Sequence, residues 1–396
     1  MKRLHLLLLL TLTILTPISP TGRRLPENIV GEIATVASHK AQKPKWLAAA
    51  EKYIAPAEIP EEFEVETIFG TINVTEPVLI ELLQHPVVQR MKEIDQHGPP
   101  TYFINRPTFS RYDHCLGVFA LLRMHDRPLA EQVAGLLHDA SHTTFCHVAD
   151  HLFKTGNQHA YQDIIHNWYL QKMQVDQVLE RYGLTIEEIN PEQPAYTALE
   201  QNHPRLCADR IQYIINTGLM LSRLTQEDLR NILDSLSFQE NNWVFSDKAA
   251  ARKFADVSVY CTEHIWSAPT ELAWRHWLCS ALQQAIAFDL ISSDDIHFGV
   301  DAEILERLNT STDKHIKEMM TKCYDAQKYF STVPTGASYD MLDMPKIRAV
   351  DPLIRREDEH VATPLTQLDS EYRTQVDELR SRLSGGVRIK LLVAEA

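Results

Sequence analysis

The sequence predicts a mainly α fold with a few short strands at its periphery. Apolar residues recur at helical spacing through most of the chain beyond Glu76. Period-two alternation appears at Phe63–Ile68 and Thr71–Val74, and the terminal run Val387–Val393 reads as a strand. With 44% apolar residues and only 13 Gly and 20 Pro, the chain can bury a sizeable core and falls outside the disordered and fibrous classes.

In chain order, Lys2 and Arg3 precede a mostly apolar run from Leu4 to Leu15, closed by Pro17 and Pro20. That run is too short to cross a hydrocarbon core of about 30 Å but has the length of a secretory signal. Residues 1–22 are expected to be a signal peptide or anchor, 23–62 a polar leader with one helix-like patch at Trp46–Tyr53, and 63–396 one large domain with a helical C-terminal extension. The signal implies export to a periplasm or medium; a spurious leader would leave the protein cytoplasmic. No mature membrane span is expected. Phe63–Ile68 and Thr71–Val74, hinged at Gly70, predict a hairpin. Pro77, at an N1-like position, opens a helix through Leu79, Leu82 and Leu83, and Val87–Ile94 repeats the signal. Further helices are expected at 114–124, 128–139, 158–173, 175–183, 205–222, 226–234, 247–266, 269–291 and 368–384, with a last strand at 387–393. Residues 300–345 carry weak periodicity, consistent with an insertion or a subunit contact.

The charge balance is 39 Lys+Arg against 53 Asp+Glu, a net of −14. Without a long basic run, stable nucleic-acid binding is not expected, and any phosphate should be met in a pocket. The six Cys form no C-x-x-C pair, so buried free thiols are expected rather than a disulfide framework.

The chemistry concentrates in one window, where His114, His138, Asp139, His142, His147, Asp150, His151 and His159 fall within fifty residues. Imidazole and carboxylate donors of this kind suit divalent transition metals. His138 and His142 are four apart, so on one helix they would share a face. Asp139 points about 100° away from His138 on a helix, and both reach one ion only if the helix ends near them.

Three ordered segments carry a resemblance: Arg111-Tyr112-Asp113-His114-Cys115-Leu116-Gly117-Val118, then Ala134 to His147 around His138-Asp139, then Ala208-Asp209-Arg210-Ile211-Gln212-Tyr213. They resemble the signature segments of the HD-domain metal-dependent phosphohydrolases, most closely the branch of the deoxynucleotide triphosphohydrolases and SAM-and-HD-domain enzymes. The similarity extends from about Glu64 to Pro352, and nothing resembling a SAM domain precedes it. It implies an all-helical HD core with small peripheral α+β elements. It also implies one divalent transition metal (Mn, Fe, Zn, Co or Ni) held by His114, His138, Asp139 and Asp209, with Mg accompanying the substrate phosphates. His142, Asp150 and His159 correspond to proton-handling groups, the Asp150 carboxylate orienting an imidazole. Gln96, Arg111, His147, Arg210, Tyr213, Arg252 and Tyr260 correspond to substrate contacts. Relatives commonly form homo-oligomers.

The departures bear on the substrate. His97 stands where deoxynucleotide enzymes carry a small apolar group, Asn216-Thr217 replaces a sugar-binding Arg-Asp pair, and Thr262-Glu263 replaces His-Lys near the phosphates. Three readings follow. The first is hydrolysis of a nucleotide phosphoester, with a (deoxy)nucleoside triphosphate as lead substrate. The second is an HD phosphohydrolase for nucleoside monophosphates or cyclic or alarmone nucleotides. The third is a metal- and nucleotide-binding protein with little turnover.

Overall fold

A computed structural model describes residues 43–153, 160–355 and 361–392; the signal-like run and His159 lie outside the described residues. The chain enters through helix α1 (Lys45–Glu51) and the hairpin of β1 (Phe63–Thr67) and β2 (Gly70–Val74). Helices α2 (Pro77–Gln84), α3 (Pro86–Arg90), α4 (Pro99–Ile104), α5 (Arg111–Met124), α6 (Leu129–Leu137), α7 (Val148–Leu152), α8 (Tyr161–Lys172) and α9 (Val175–Arg181) follow. Next come α10 (Ala208–Met220), α11 (Gln226–Ser235), the hairpin β3 (Leu236–Gln239) and β4 (Asn242–Phe245), and α12 (Lys248–Cys261). The last third contains α13 (Pro269–Ala287), α14 (Ser293–Phe298), α15 (Asp301–Thr310), α16 (Lys314–Tyr324), β5 (Phe330–Thr332) and β6 (Met341–Asp343). It closes with β7 (Leu353–Ile354), β8 (Thr363–Pro364), α17 (Leu365–Leu368), α18 (Ser370–Leu383) and β9 (Val387–Leu391).

The mainly α expectation holds, and the sheets are small. β1 and β2 pair antiparallel with Phe63 opposite Val74, as the alternation implied. The β3–β4 hairpin extends through β7, parallel to β4, to β8. β9 lies between β5 and β6 and is antiparallel to both.

Two apolar clusters hold the helices together. The larger joins α2, α5, α6, α10 and α12 through residues such as Leu79, Val118, Leu136, Ile214 and Phe254. The second gathers α13, α15 and α16 against α7 and α8 through Trp274, Trp277, Ile304, Ile316 and Met320. Much of the stretch 300–345, from Ile304 to Phe330, packs into the second cluster. Its α16 carries Ile316, Met319, Met320 and Cys323 at i, i+3, i+4 and i+7, all buried, which is a helical stripe despite the weak overall pattern. All six cysteines are buried and free.

Local chemistry sets the ends of the helices that matter most. Ser110 and Asp113 form a capping box, Ser110 Oγ accepting from the Asp113 N–H at 3.1 Å and Asp113 from the Ser110 N–H at 2.9 Å. This starts α5 one turn before His114. Helix α6 stops at Leu137, so His138 caps it and Asp139 lies in the turns beyond. His142 is therefore not one turn further along the same helix; its N–H donates to the Asp139 carbonyl at 3.0 Å in those turns. Helix α10 begins at Ala208, placing Asp209 in its first turn.

Candidate active site

His114 and His138 approach each other through Nε2 at 3.1 Å. Asp209 Oδ1 is 3.0 Å from His114 Nε2 and 3.7 Å from His138 Nε2, and Asp139 Oδ2 is 3.5 and 3.7 Å from the same two atoms. Each ring has its other nitrogen committed. His138 Nδ1–H donates to the Gly135 carbonyl at 2.8 Å, and His114 Nδ1–H to the Gln212 side-chain oxygen. Both imidazoles thus turn Nε2 toward the carboxylates. Burial pushes the His138 ring down, yet Asp139, Cys115 and Asp209 lift it well above the usual imidazole value, so the spot favours a positive charge. His114, His138 and Asp139 lie close enough together to hold one divalent ion, and Asp209 Oδ1 approaches both imidazoles from the side of α10. Asp209 also belongs to a second donor group with Glu200 and Cys207.

Arg111 secures the Asp139 carboxylate through a buried ion pair. Burial alone would raise Asp139, but Arg111 and the rings of His138 and His142 hold it well below the usual carboxylate range. Asp209 is lowered too, its hydrogen bonds from His114 and His138 outweighing burial. His142 Nε2 lies 3.3 Å from Asp139 Oδ1, and burial beside Arg111 depresses its ring to about 3. It is a neutral imidazole whose Nδ1 has no hydrogen-bond partner. At the cleft mouth the Asp150 carboxylate meets His147 Nδ1 at 3.1 Å and accepts the Tyr161 N–H at 2.7 Å. Among the described residues the imidazole that Asp150 orients is therefore His147.

No family model matches the chain. It is 29% identical over 330 residues to the uncharacterized protein YdhJ of Bacillus subtilis, covering 83% of this chain and 98% of that protein. It is 26% identical over 307 residues to the metal-dependent phosphohydrolase cns2 of Cordyceps militaris, covering 76% and 87%. The human deoxynucleoside triphosphate triphosphohydrolase SAMHD1 matches at 27% over 150 residues, only 31% of this chain and 23% of that protein. Among solved structures, a phosphohydrolase from Bacteroides thetaiotaomicron shares the fold with a TM-score of 0.65 at 16% identity, covering 84% and 100%. These similarities support the HD-domain phosphohydrolase superfamily for this chain.

The HD site opens into a cleft of about 940 Å³. Gln96, Arg111, His138, Asp139, His142, His147, Asp150, Asp209, Arg210 and Tyr213 all line it. Arg252 and Tyr260 do not. Arg252 is held by Asp256 at 2.8 Å, Asp369 at 3.1 Å and Gln375 at 3.2 Å, and Tyr260 lies under the Arg223 guanidinium. Glu263 is paired with Arg382 at 2.9 Å. Arg210 faces the cleft but donates to the carbonyls of Arg205 and Gln201. His97 Nε2 lies 3.4 Å from Thr217 Oγ1, which places two of the departures side by side in the HD cleft.

Several residues at or beside the site carried no signal of their own in the sequence. Gln212, which positions His114, sat inside a recognised segment. Arg106, Lys346 and Arg348 add cations to the lining. Three lining carboxyls are lifted by burial: Asp163 to about 7 with Glu192 and Asp139 adding repulsion, Glu200 to about 8 with Asp209, and Glu271 to about 7 against Arg275 and Arg106. Isolated acids of this kind carry no spacing signal, since only the folded cleft removes their water.

Proposed function

We propose that this HD protein hydrolyses a phosphoester of a nucleotide, with a nucleoside triphosphate, deoxy or ribo, as lead substrate. The supporting observation is the convergence of His114, His138, Asp139 and Asp209 with both Nδ1 atoms committed to carbonyls. A divalent transition ion held there would supply a Lewis acid for the phosphoryl oxygen and a water of lowered pKa. The remaining work falls to the chain. Arg111 keeps Asp139 ionised and in place. His142, donating through Nε2 to Asp139, offers its unpartnered Nδ1 as a hydrogen-bond acceptor for an incoming hydroxyl or water. His147, oriented by Asp150, delivers a proton to the leaving oxygen at the cleft mouth. Gln96 and Tyr213 line the space beside these groups and are assigned to the nucleotide.

A second reading, hydrolysis of nucleoside monophosphates or cyclic or alarmone nucleotides, is favoured by the positions of Arg252 and Tyr260 outside the cleft. Product analysis separates the two. The chain loaded with Mn is given deoxy- and ribonucleoside tri-, di- and monophosphates. Nucleoside plus intact tripolyphosphate is the expected outcome, single phosphate from monophosphates selects the second reading, and no turnover with metal bound sinks both.

A further inference from the structure

The cleft contains positive charge that the HD donor set does not use. Lys346 and Arg348 sit on the segment 344–348, which has neither helix nor strand and crosses the cleft as a strap. Both ends of the strap are fixed. Asp343 is paired with Arg275 of α13 at 2.5 Å. Beyond the strap, the Val350 N–H donates to Ser258 Oγ of α12 at 3.1 Å, the Tyr372 hydroxyl of α18 donates to the Val350 carbonyl, and the Asp351 N–H donates to the Pro204 carbonyl at 3.0 Å.

Arg348 is placed by aromatic rings rather than by an acid. Its guanidinium lies 5.9 Å from the ring centres of both Tyr213 and Trp266, which themselves meet edge to face at 5.4 Å. Tyr213 is four residues after Asp209 on α10, one turn along the same helix face. The guanidinium is therefore held one helical turn from the metal-donor set. Neither Lys346 nor Arg348 has an ion-pair partner among the described residues. Arg275, by contrast, is spent on Asp343, and Arg111 on Asp139.

We infer that the strap is a substrate-binding element, Arg348 and Lys346 gripping phosphates beyond the one that reacts. The inference rests on the phosphohydrolase reading and narrows its substrate class to nucleotides with a chain of two or more phosphates. A single phosphate at the donor set needs no further cation. Two unpaired cations on an anchored segment match an anion that extends past the reacting centre, and the planar guanidinium fork suits phosphate oxygens. The strap also supplies what Arg252, bound to Asp256 and Asp369, does not.

The test is calorimetric titration of the full chain, loaded with Mn, with inorganic tripolyphosphate and separately with orthophosphate. Arg348→Ala and Lys346→Ala should each weaken tripolyphosphate binding by about tenfold or more while changing orthophosphate affinity by less than about twofold. Arg348→Lys, which keeps the charge and the fold, should recover part of the loss. Unchanged tripolyphosphate affinity in both alanine variants, equal weakening of both ligands, or no tripolyphosphate binding by the parent chain would each overturn the proposal. Nucleotide turnover is followed in parallel. A chain that binds tripolyphosphate through Arg348 but hydrolyses no nucleotide would sustain the strap and sink the reading on which it rests.

Discussion

His114 is held in place by a side chain on a neighbouring helix. Gln212 of α10 accepts the His114 Nδ1–H, so Nε2 is left facing His138 and Asp209. Gly117, one turn after His114, lets the two helices come this close: a Cβ there would lie 2.6 Å from Gln212 Cγ and 2.8 Å from its Nε2. Gln212→Ala should therefore lower metal affinity by about 10- to 100-fold, the usual effect of removing a group that orients a ligating imidazole. Gly117→Ala should act in the same direction by displacing Gln212. Competition against a fluorescent chelator reads both, and parent-like affinity in the two variants would remove Gln212 from the site. His114, His138 and Asp139 were legible as candidate donors because imidazoles and carboxylates crowd one window around His138-Asp139, and Asp209 only through the resemblance of the segment Ala208–Tyr213. The contact of His147 with Asp150 was not. It depends on the path between Asp139 and Val148, where Phe145 and Cys146 take φ of 57° and 54°. Two consecutive non-glycine residues in the left-handed region carry no turn signature in sequence.

The loop that follows α6 owes its shape to elements far away in the chain. Arg90, fully buried at the end of α3, donates Nε–H to the Gly299 carbonyl at 3.0 Å and Nη1–H to the His142 carbonyl at 2.9 Å, with its guanidinium 5.6 Å from the Tyr169 ring centre. Asp301, at the start of α15, accepts from the N–H groups of Asp95 at 3.0 Å and Phe145 at 2.8 Å and from the Tyr102 hydroxyl at 2.7 Å. Arg90→Met preserves most of the volume but leaves two buried carbonyls without donors. It should destabilise the fold by about 3 kcal/mol, since hydrogen bonds to charged groups contribute about 1.5–3 kcal/mol each and part is regained by relaxation. Urea unfolding measures this, and an unchanged midpoint would show that the loop holds itself. Helices with a long apolar stripe or a capping signal were legible, α5 and α10 among them. The short α4, α7 and α14 were not, because five or six residues give too little periodicity to separate them from loops.

At the scale of the whole molecule, the net charge of −14 hides a cleft where the fold gathers acids and bases from distant parts of the chain. Segments near residues 96–111, 138–163, 200–213, 265–275 and 343–348 meet there, and no local pattern in any of them announces that meeting. Its consequence is a pH dependence that the sequence could not supply. Glu271 lies in the cleft wall with Arg275 and Arg106 as its charged neighbours, and burial outweighs both, lifting its carboxyl from 4.5 to about 7. Between those two values the folded chain keeps a proton that the unfolded chain has released. Stability from this group is therefore complete below about pH 4.5 and declines as pH rises toward 7. Glu271→Gln has no proton to lose, so its stability relative to the parent should rise from pH 5 to about pH 7 and level off by pH 8. Denaturant titrations of both proteins across that range decide the matter. A constant difference would mean that Glu271 ionises in the fold as it does in water, and that the cleft is wetter at this wall than its lining implies.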